Sequence, residues 1–319
     1  MQLPENRYRF SAEKEMKLSR KKILVVSAVI VLIGTGAFFL LGGSGYLSAI
    51  SSHLTKQNSE DIDIYQLWER KEYSYINEIC EEKLLENPLD PEYLALNGFA
   101  YFYRGTSLYT LEDQIPLYDM AVINLRKALI KEALRNKGQV HYILGKTYYH
   151  KGRFYIDLAI RHLEESVALG YESADTYRYL GLAYSELGDY ERGVEKFLAA
   201  AEGQPDSLLY MTIGQTYFKM KKVDKALDFL MRAVHSTDEE TVEKKSRFLI
   251  GNIYLEMNEF QKAKDQFEKI LSIEADSADA HYYLGEIYDK MGEQVKARAE
   301  WRKVLNIDPS HYGALLKLY

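Results

Sequence analysis

The chain has 319 residues, 28% of them charged and 47% apolar, with 27 tyrosines, six prolines and a single cysteine. That composition fits an ordered, mostly helical protein and excludes low-complexity disorder, an internal disulfide framework and any multi-cysteine metal site. The formal net charge is −6; residues 1–22 carry +4, so the remainder carries −10 and is a poor generic binder of nucleic acid, which needs basic surface.

Taken in order, the tail 1–22 holds seven Lys/Arg and three Asp/Glu and ends in Arg20–Lys21–Lys22. The sequence ILVVSAVIVLIGTGAFFLL (Ile23–Leu41) follows, 19 residues without a charge. As a helix it spans roughly 28 Å, about one hydrocarbon core. Beyond it, residues 42–60 hold one lysine, Lys56. The asymmetry reads as a cytoplasmic N-terminus, a single transmembrane helix over 23–41 and the rest of the chain across the membrane. The apolar run exceeds the usual 7–15-residue signal-peptide core, which favours an uncleaved signal-anchor. Cleavage near Ser48–Ala49 would export the same domain, and a cytosol-facing organelle anchor is a third reading. Gly42–Glu60, rich in Gly and Ser, reads as a flexible linker.

From residue 61 one pattern returns. YLGLAYSELGDYERGVEKFLAA (Tyr179–Ala200) sets Leu–Gly–x–x–Tyr, then a glycine break, then a second apolar helix. The same plan recurs with first glycines at 145, 181, 214, 251 and 285, a period near 34 residues. That is the signature of a helix–turn–helix solenoid. Glycine inside a helix costs about 0.5–1 kcal/mol against alanine, so Gly181 implies close approach of a partner helix. Gly188 is expected to take positive φ at the turn, and Asn258 stands at the corresponding break. Second helices present buried i, i+4, i+7 stripes such as Ala226/Leu230/Ala233, Ala263/Phe267/Ile270 and Ala297/Trp301/Val304. Pro88, Pro205 and Pro309 close units. Cys80 falls at an aromatic position of its repeat and reads as core.

These residues resemble the tetratricopeptide repeat (TPR) family over about 61–311. The resemblance implies an all-α, right-handed solenoid of about seven repeats: 61–90, 91–137, 138–173, 174–206, 207–243, 244–277 and 278–311, with a partial helix 312–319. TSLYTLEDQIP (Thr106–Pro116) reads as an insertion at the inter-helix turn of the second repeat. YGALLKLY (Tyr312–Tyr319) places Ala314, Leu315 and Leu318 on one face, either a cap in cis or a surface for self-association.

Catalytic signatures are absent: there is no HExxH, no GxxxxGK[ST], and the histidines, His141 and His150 among them, are scattered. The expectation is a non-enzymatic protein with no cofactor and no metal. In TPR proteins the first helices line a concave groove that holds a peptide or partner helix. Carried over position by position, that groove is Tyr142, Lys146 and Tyr149; Arg178, Tyr179 and Ser185; Met211, Gln215 and Phe218; Phe248 and Asn252; and Tyr282, Glu286 and Asp289. Some of these aromatics would instead pack between repeats. The carboxylate clamp of chaperone-binding TPRs is missing, since its positions read Phe248/Asn252, Met211/Gln215 and Arg178/Leu182. The implied function is a membrane-anchored scaffold or adaptor for protein partners at a bacterial inner membrane, with the TPR domain periplasmic. Cell-wall, secretion and periplasmic flagellar assemblies are the machines of that kind. The alternative is an accessory or regulatory subunit of an envelope enzyme such as a wall hydrolase or synthase.

Overall fold

The computed structural model describes residues 64–132 and 134–319. The basic tail, the apolar run Ile23–Leu41 and the linker 42–60 lie outside the described residues. Among those described, no helix is long and apolar enough to cross a membrane. The chain divides into two compact units, residues 1–85 and 86–319.

In the first unit the described elements are α1 (Ile64–Glu69) and α2 (Tyr73–Glu86), joined by Lys71 at φ 58°. Trp68 and Tyr73 meet edge to face at 5.2 Å across this turn. Cys80 is buried, as its position in the repeat implies, and burial, then the Glu81 charge, pushes its thiol up to about 12. At neutral pH it is a protonated, shielded thiol.

The second unit is all helix: α3 (Pro91–Thr106), α4 (Leu111–Leu129), α5 (Lys137–His150), α6 (Ile156–Ala168), α7 (Ala174–Glu186), α8 (Tyr190–Gly203), α9 (Ser207–Lys219), α10 (Val223–His235), α11 (Glu240–Glu256), α12 (Phe260–Ile273), α13 (Ala278–Lys290), α14 (Gln294–Ile307) and α15 (Tyr312–Leu318). Each odd-numbered helix up to α13 packs on the even-numbered one that follows, and each even-numbered helix packs on the first helix of the next repeat. First helices also touch one another, α3 with α5, α5 with α7 and α9 with α11, which sets them side by side along one face.

The repeat glycines explain the pairing. A Cβ on Gly181 would sit 2.5 Å from the Phe197 ring, on Gly145 2.5 Å from Leu163 Cγ, on Gly214 2.7 Å from Leu230 Cγ and on Gly251 2.8 Å from the Phe267 ring. The large residue of the second helix therefore lies directly on first-helix backbone. Phe197, Leu163, Leu230 and Phe267 are all fully buried there, and so are the alanines 159, 226, 263 and 297 one turn earlier.

The turn between the two helices takes one left-handed residue at the same register in every later repeat: Gly152, Gly188, Lys221, Asn258 and Gly292. The next amide reaches back five residues, Asp189 to Tyr184 O at 3.0 Å, Lys222 to Tyr217 O at 3.0 Å and Glu259 to Tyr254 O at 2.8 Å. This is the Schellman closure, which satisfies carbonyls a helix end leaves unpaired. Side-chain caps from Ser173, Asp189, Asp206 and Ser277 start the following helices.

The second repeat departs from the expected turn insertion. Gly105 occupies the turn register but stays helical, and α3 runs on to Thr106. After a short connection α4 starts at Leu111, ten residues before its core alanine Ala121, where the other second helices start three before theirs. The extra chain is thus about two helical turns, roughly 10 Å. Pro116 lies inside this helix, and buried Tyr118 packs over Gly105, where a Cβ would stand 2.5 Å from its ring.

At the other end, α15 caps the last repeat in cis. Ala314 is buried, and Leu318 packs on the cluster of Ala297, Trp301 and Val304. The face expected to offer self-association is therefore occupied within the chain.

Two outcomes follow from these contacts. Gly181→Ala should lower stability by about 1–2 kcal/mol, because overpacking against buried Phe197 exceeds the helix-propensity gain of alanine; thermal unfolding reads it as a lower Tm. Lys221→Gly should do the reverse, since an L side chain at φ 59° costs about 1 kcal/mol that glycine does not, and Tm should rise by about 2–4 °C.

Candidate functional site

The predicted groove residues occupy one stripe of the first helices, three positions before the repeat glycine, one after it and four after it, except Tyr179, which lies two before Gly181. The structure divides this stripe into a filled N-terminal part, an open middle and a closed C-terminal end.

In the third repeat the stripe is interior. Tyr142 is buried, and its hydroxyl donates to Asp175 of the next repeat. Lys146 donates to Asp175 at 2.8 Å and to the Tyr142 oxygen at 3.0 Å. Its ammonium lies over the rings of Tyr179 (4.6 Å), Tyr142 (5.0 Å) and Phe102 (5.6 Å), a cation–π cage drawn from three repeats. Tyr149 meets Tyr179 edge to face at 5.4 Å, and His150 Nε2 lies 3.0 Å from the Tyr179 hydroxyl. Burial, reinforced by Asp175, raises the Tyr142 and Tyr179 hydroxyls, so both stay neutral. Burial pushes Asp175 up, but the Lys146 charge and its hydrogen bonds win and hold it below the usual carboxylate range. Tyr142 is thus inter-repeat core rather than groove surface, because it is 3% exposed and its hydroxyl is engaged by Asp175. Met211 is likewise core, at 6% exposure.

The C-terminal end is closed by α15. Lys317 bridges Glu286 at 2.7 Å and approaches Asp289 at 3.8 Å, and Tyr282 lies 5.0 Å from the His311 ring.

Between them lie Arg178, Ser185, Gln215, Phe218, Phe248 and Asn252, all half-buried. Arg178 pairs with the cap residue Asp206, yet its Nε is buried without a partner among the described residues. Ser185 Oγ and Asn252 Oδ1 are in the same condition. Phe248 stands edge-on to Phe267 at 5.8 Å and to Tyr283 at 5.1 Å, leaving part of its ring open. Gln215 and Phe248 come together in a cleft of about 330 Å³ whose apolar floor adds Leu249 and Ile270. Its rim carries Lys244, bridged to Glu274 at 2.7 Å, and the exposed Lys245. Leu249, Ile270, Lys244 and Glu274 were not legible as site residues, since two lie off the stripe and two come from the second helix of the same repeat and its end.

Among the described residues no group of three or more His, Cys, Asp or Glu side chains could hold a metal ion. His141 and His150 diverge: His141 Nδ1 lies 3.0 Å from His162 Nδ1, and His150 turns to Tyr179.

Tetratricopeptide-repeat family models match residues 156–207, 208–235, 245–277 and 278–311. Among solved structures the chain is similar to the C-terminal part of a TPR repeat-containing protein from Cytophaga hutchinsonii, at 18% identity and a TM-score of 0.65 over 79% of this chain and 97% of that one. That likeness shows the fold. Among curated proteins it is similar to anaphase-promoting complex subunit 3 of Schizosaccharomyces pombe, 23% identical over 235 residues, 72% of this chain and 32% of that protein. It is also similar to the BBSome complex member BBS4 homolog of Drosophila melanogaster, 26% identical over 219 residues, 64% of this chain and 41% of that protein. The chain spans about a third to two-fifths of the length of these curated relatives. The helix pairs over the residues that the family models match are tetratricopeptide repeats.

The buried histidines give a pH dependence. Burial lowers His150 to about 4, helped by Lys146, and lowers His162 to about 4, helped by His141, Arg161 and Arg126. A folded-state value below the unfolded 6.5 means the unfolded chain binds more protons between those values. The stabilisation is complete above pH 6.5 and is lost as pH falls towards 4. Tm should drop over that interval, and His162→Gln should flatten the drop relative to the parent.

Proposed function

We propose that this chain is a non-enzymatic, membrane-anchored TPR adaptor that holds an extended segment of a partner protein along the first helices of repeats four to six. The observation that carries this reading is the open middle of the stripe. Gln215 and Phe248 line a cleft with an apolar floor of Leu249 and Ile270 and a polar rim. A peptide main chain offers a donor and an acceptor at every residue, and one of its apolar side chains fills the cleft. Both curated relatives are named as members of multiprotein complexes, which agrees with an adaptor role.

The uncharged run Ile23–Leu41, with seven Lys/Arg in the tail before it and only Lys56 in residues 42–60 after it, supports anchoring in a bacterial inner membrane with the repeats periplasmic. On that reading the partner belongs to an envelope assembly.

The decisive experiment is partner capture from detergent-solubilised membranes. Gln215→Ala with Asn252→Ala, which leaves the apolar core untouched, should weaken capture about tenfold or more, as loss of hot-spot contacts does. Charge reversals at Lys196, Lys264 and Glu268 on the second helices should leave it unchanged. Undiminished capture by the double variant at unchanged Tm would rule out this stretch as the binding site.

A further inference from the structure

We propose that the edge formed by the α3–α4 connection and the α5–α6 turn is a lipid-contact rim that rests on the bilayer surface. Tyr109 and Phe154 are fully exposed, at 101% and 100%, and Leu108 and Leu111 stand exposed beside Tyr109. Fully exposed rings on two neighbouring repeats at one edge are unfavourable in water and mark an interaction surface.

The display is built rather than loose. Ser107 Oγ donates to Arg104 O at 2.7 Å, Gln114 Nε2 donates to Leu108 O at 2.6 Å, and Thr110 caps α4 while donating to Asp113 at 2.6 Å. Lys151, at the end of α5, is bridged to Asp119 on α4, which fixes one turn against the other. That bridge and the contact of Tyr118 with His150 (5.9 Å) set the end of α5 level with residues 118–119. The two extra turns of α4 therefore carry Leu111 and Tyr109 outward, past the end of α5 and alongside the turn that bears Phe154.

The occupant follows from chemistry and chain length. Tyr and Phe at the tips of rigid turns suit a membrane interface, where an aromatic ring sits among the head groups. The free charges near the tips are few: Arg153 adjoins Phe154, Asp157 lies in the first turn of α6 and Glu112 follows Leu111, since Asp113 is engaged in the cap and Lys151 in its bridge. Near-neutral charge favours insertion that depends little on anionic lipid or salt. On the anchoring reading, on which this proposal rests, the apolar run ends at Leu41 and the first described helix begins at Ile64. A chain of that length reaches at most about 80 Å even when fully extended. A lipid surface is then always close, at high effective concentration.

The test uses the full chain reconstituted into phosphatidylcholine vesicles. Cys80 is buried with a raised thiol pKa, so single cysteines can be labelled selectively with an environment-sensitive fluorophore. Tyr109→Cys and Phe154→Cys place the label on the rim; Glu202→Cys, exposed at the end of α8 on the opposite edge, is the control. Labels at 109 and 154 should shift to the blue, brighten several-fold and be quenched by spin-labelled lipid, while the label at 202 stays water-exposed. If the protein floats with the vesicles but the rim labels match the control, the rim proposal falls and the anchor stands. If it does not float, the anchoring reading fails and takes the proposal with it.

Discussion

The contact on which every repeat depends is that between a glycine of the first helix and one large residue of the second. Phe197 against Gly181, Leu163 against Gly145 and Phe267 against Gly251 are the same joint made with different side chains. A bare backbone patch lets the two helix axes approach closely, and the side chain that fills the approach is excluded from water entirely. The glycine gives up helix propensity for this. The cost is local and small, and burial of a Phe or Leu at roughly 1.5–3 kcal/mol outweighs it. Because the joint recurs, each pair presents nearly the same outer faces to its neighbours, and the array extends by repetition.

Repetition of the backbone does not mean repetition of the surface. The stripe that faces away from the glycine joint changes character along the array. In repeats two to four it is used for internal cohesion, with Lys146 held among three aromatic rings and Asp175 tying two first helices together. At the far end α15 spends Lys317 on Glu286. The middle repeats instead leave Gln215 and Phe248 open in a cleft with an apolar floor. The binding reading comes from this contrast within one chain.

The second repeat shows how one departure is absorbed. Its turn glycine is overridden because Tyr118 needs the room above Gly105, so α3 runs on and α4 is lengthened instead. Pro116 and the run of polar residues around it look like loop chemistry. Thr110 Oγ1 at the start of the helix accepts the Asp113 amide, and a proline in the second turn forfeits a single amide.

What the sequence determined by itself was everything set by local period and local sterics. It determined the glycine joints, the buried i, i+4, i+7 stripes and the positive-φ turn at Gly188, since these depend on neighbours within one unit. Lys221 shows the boundary: a lysine gives no hint of left-handed backbone, and only its register in the repeat imposes it. The fate of each groove residue was decided by the tertiary structure alone. Tyr142 and Phe248 hold the same position in their repeats. One is tied to a carboxylate 33 residues away, while the other opens into a cleft lined from three helix pairs. A one-dimensional pattern records which face a side chain takes, and it is the charges and rings arriving from the next repeat that settle whether that face stays free.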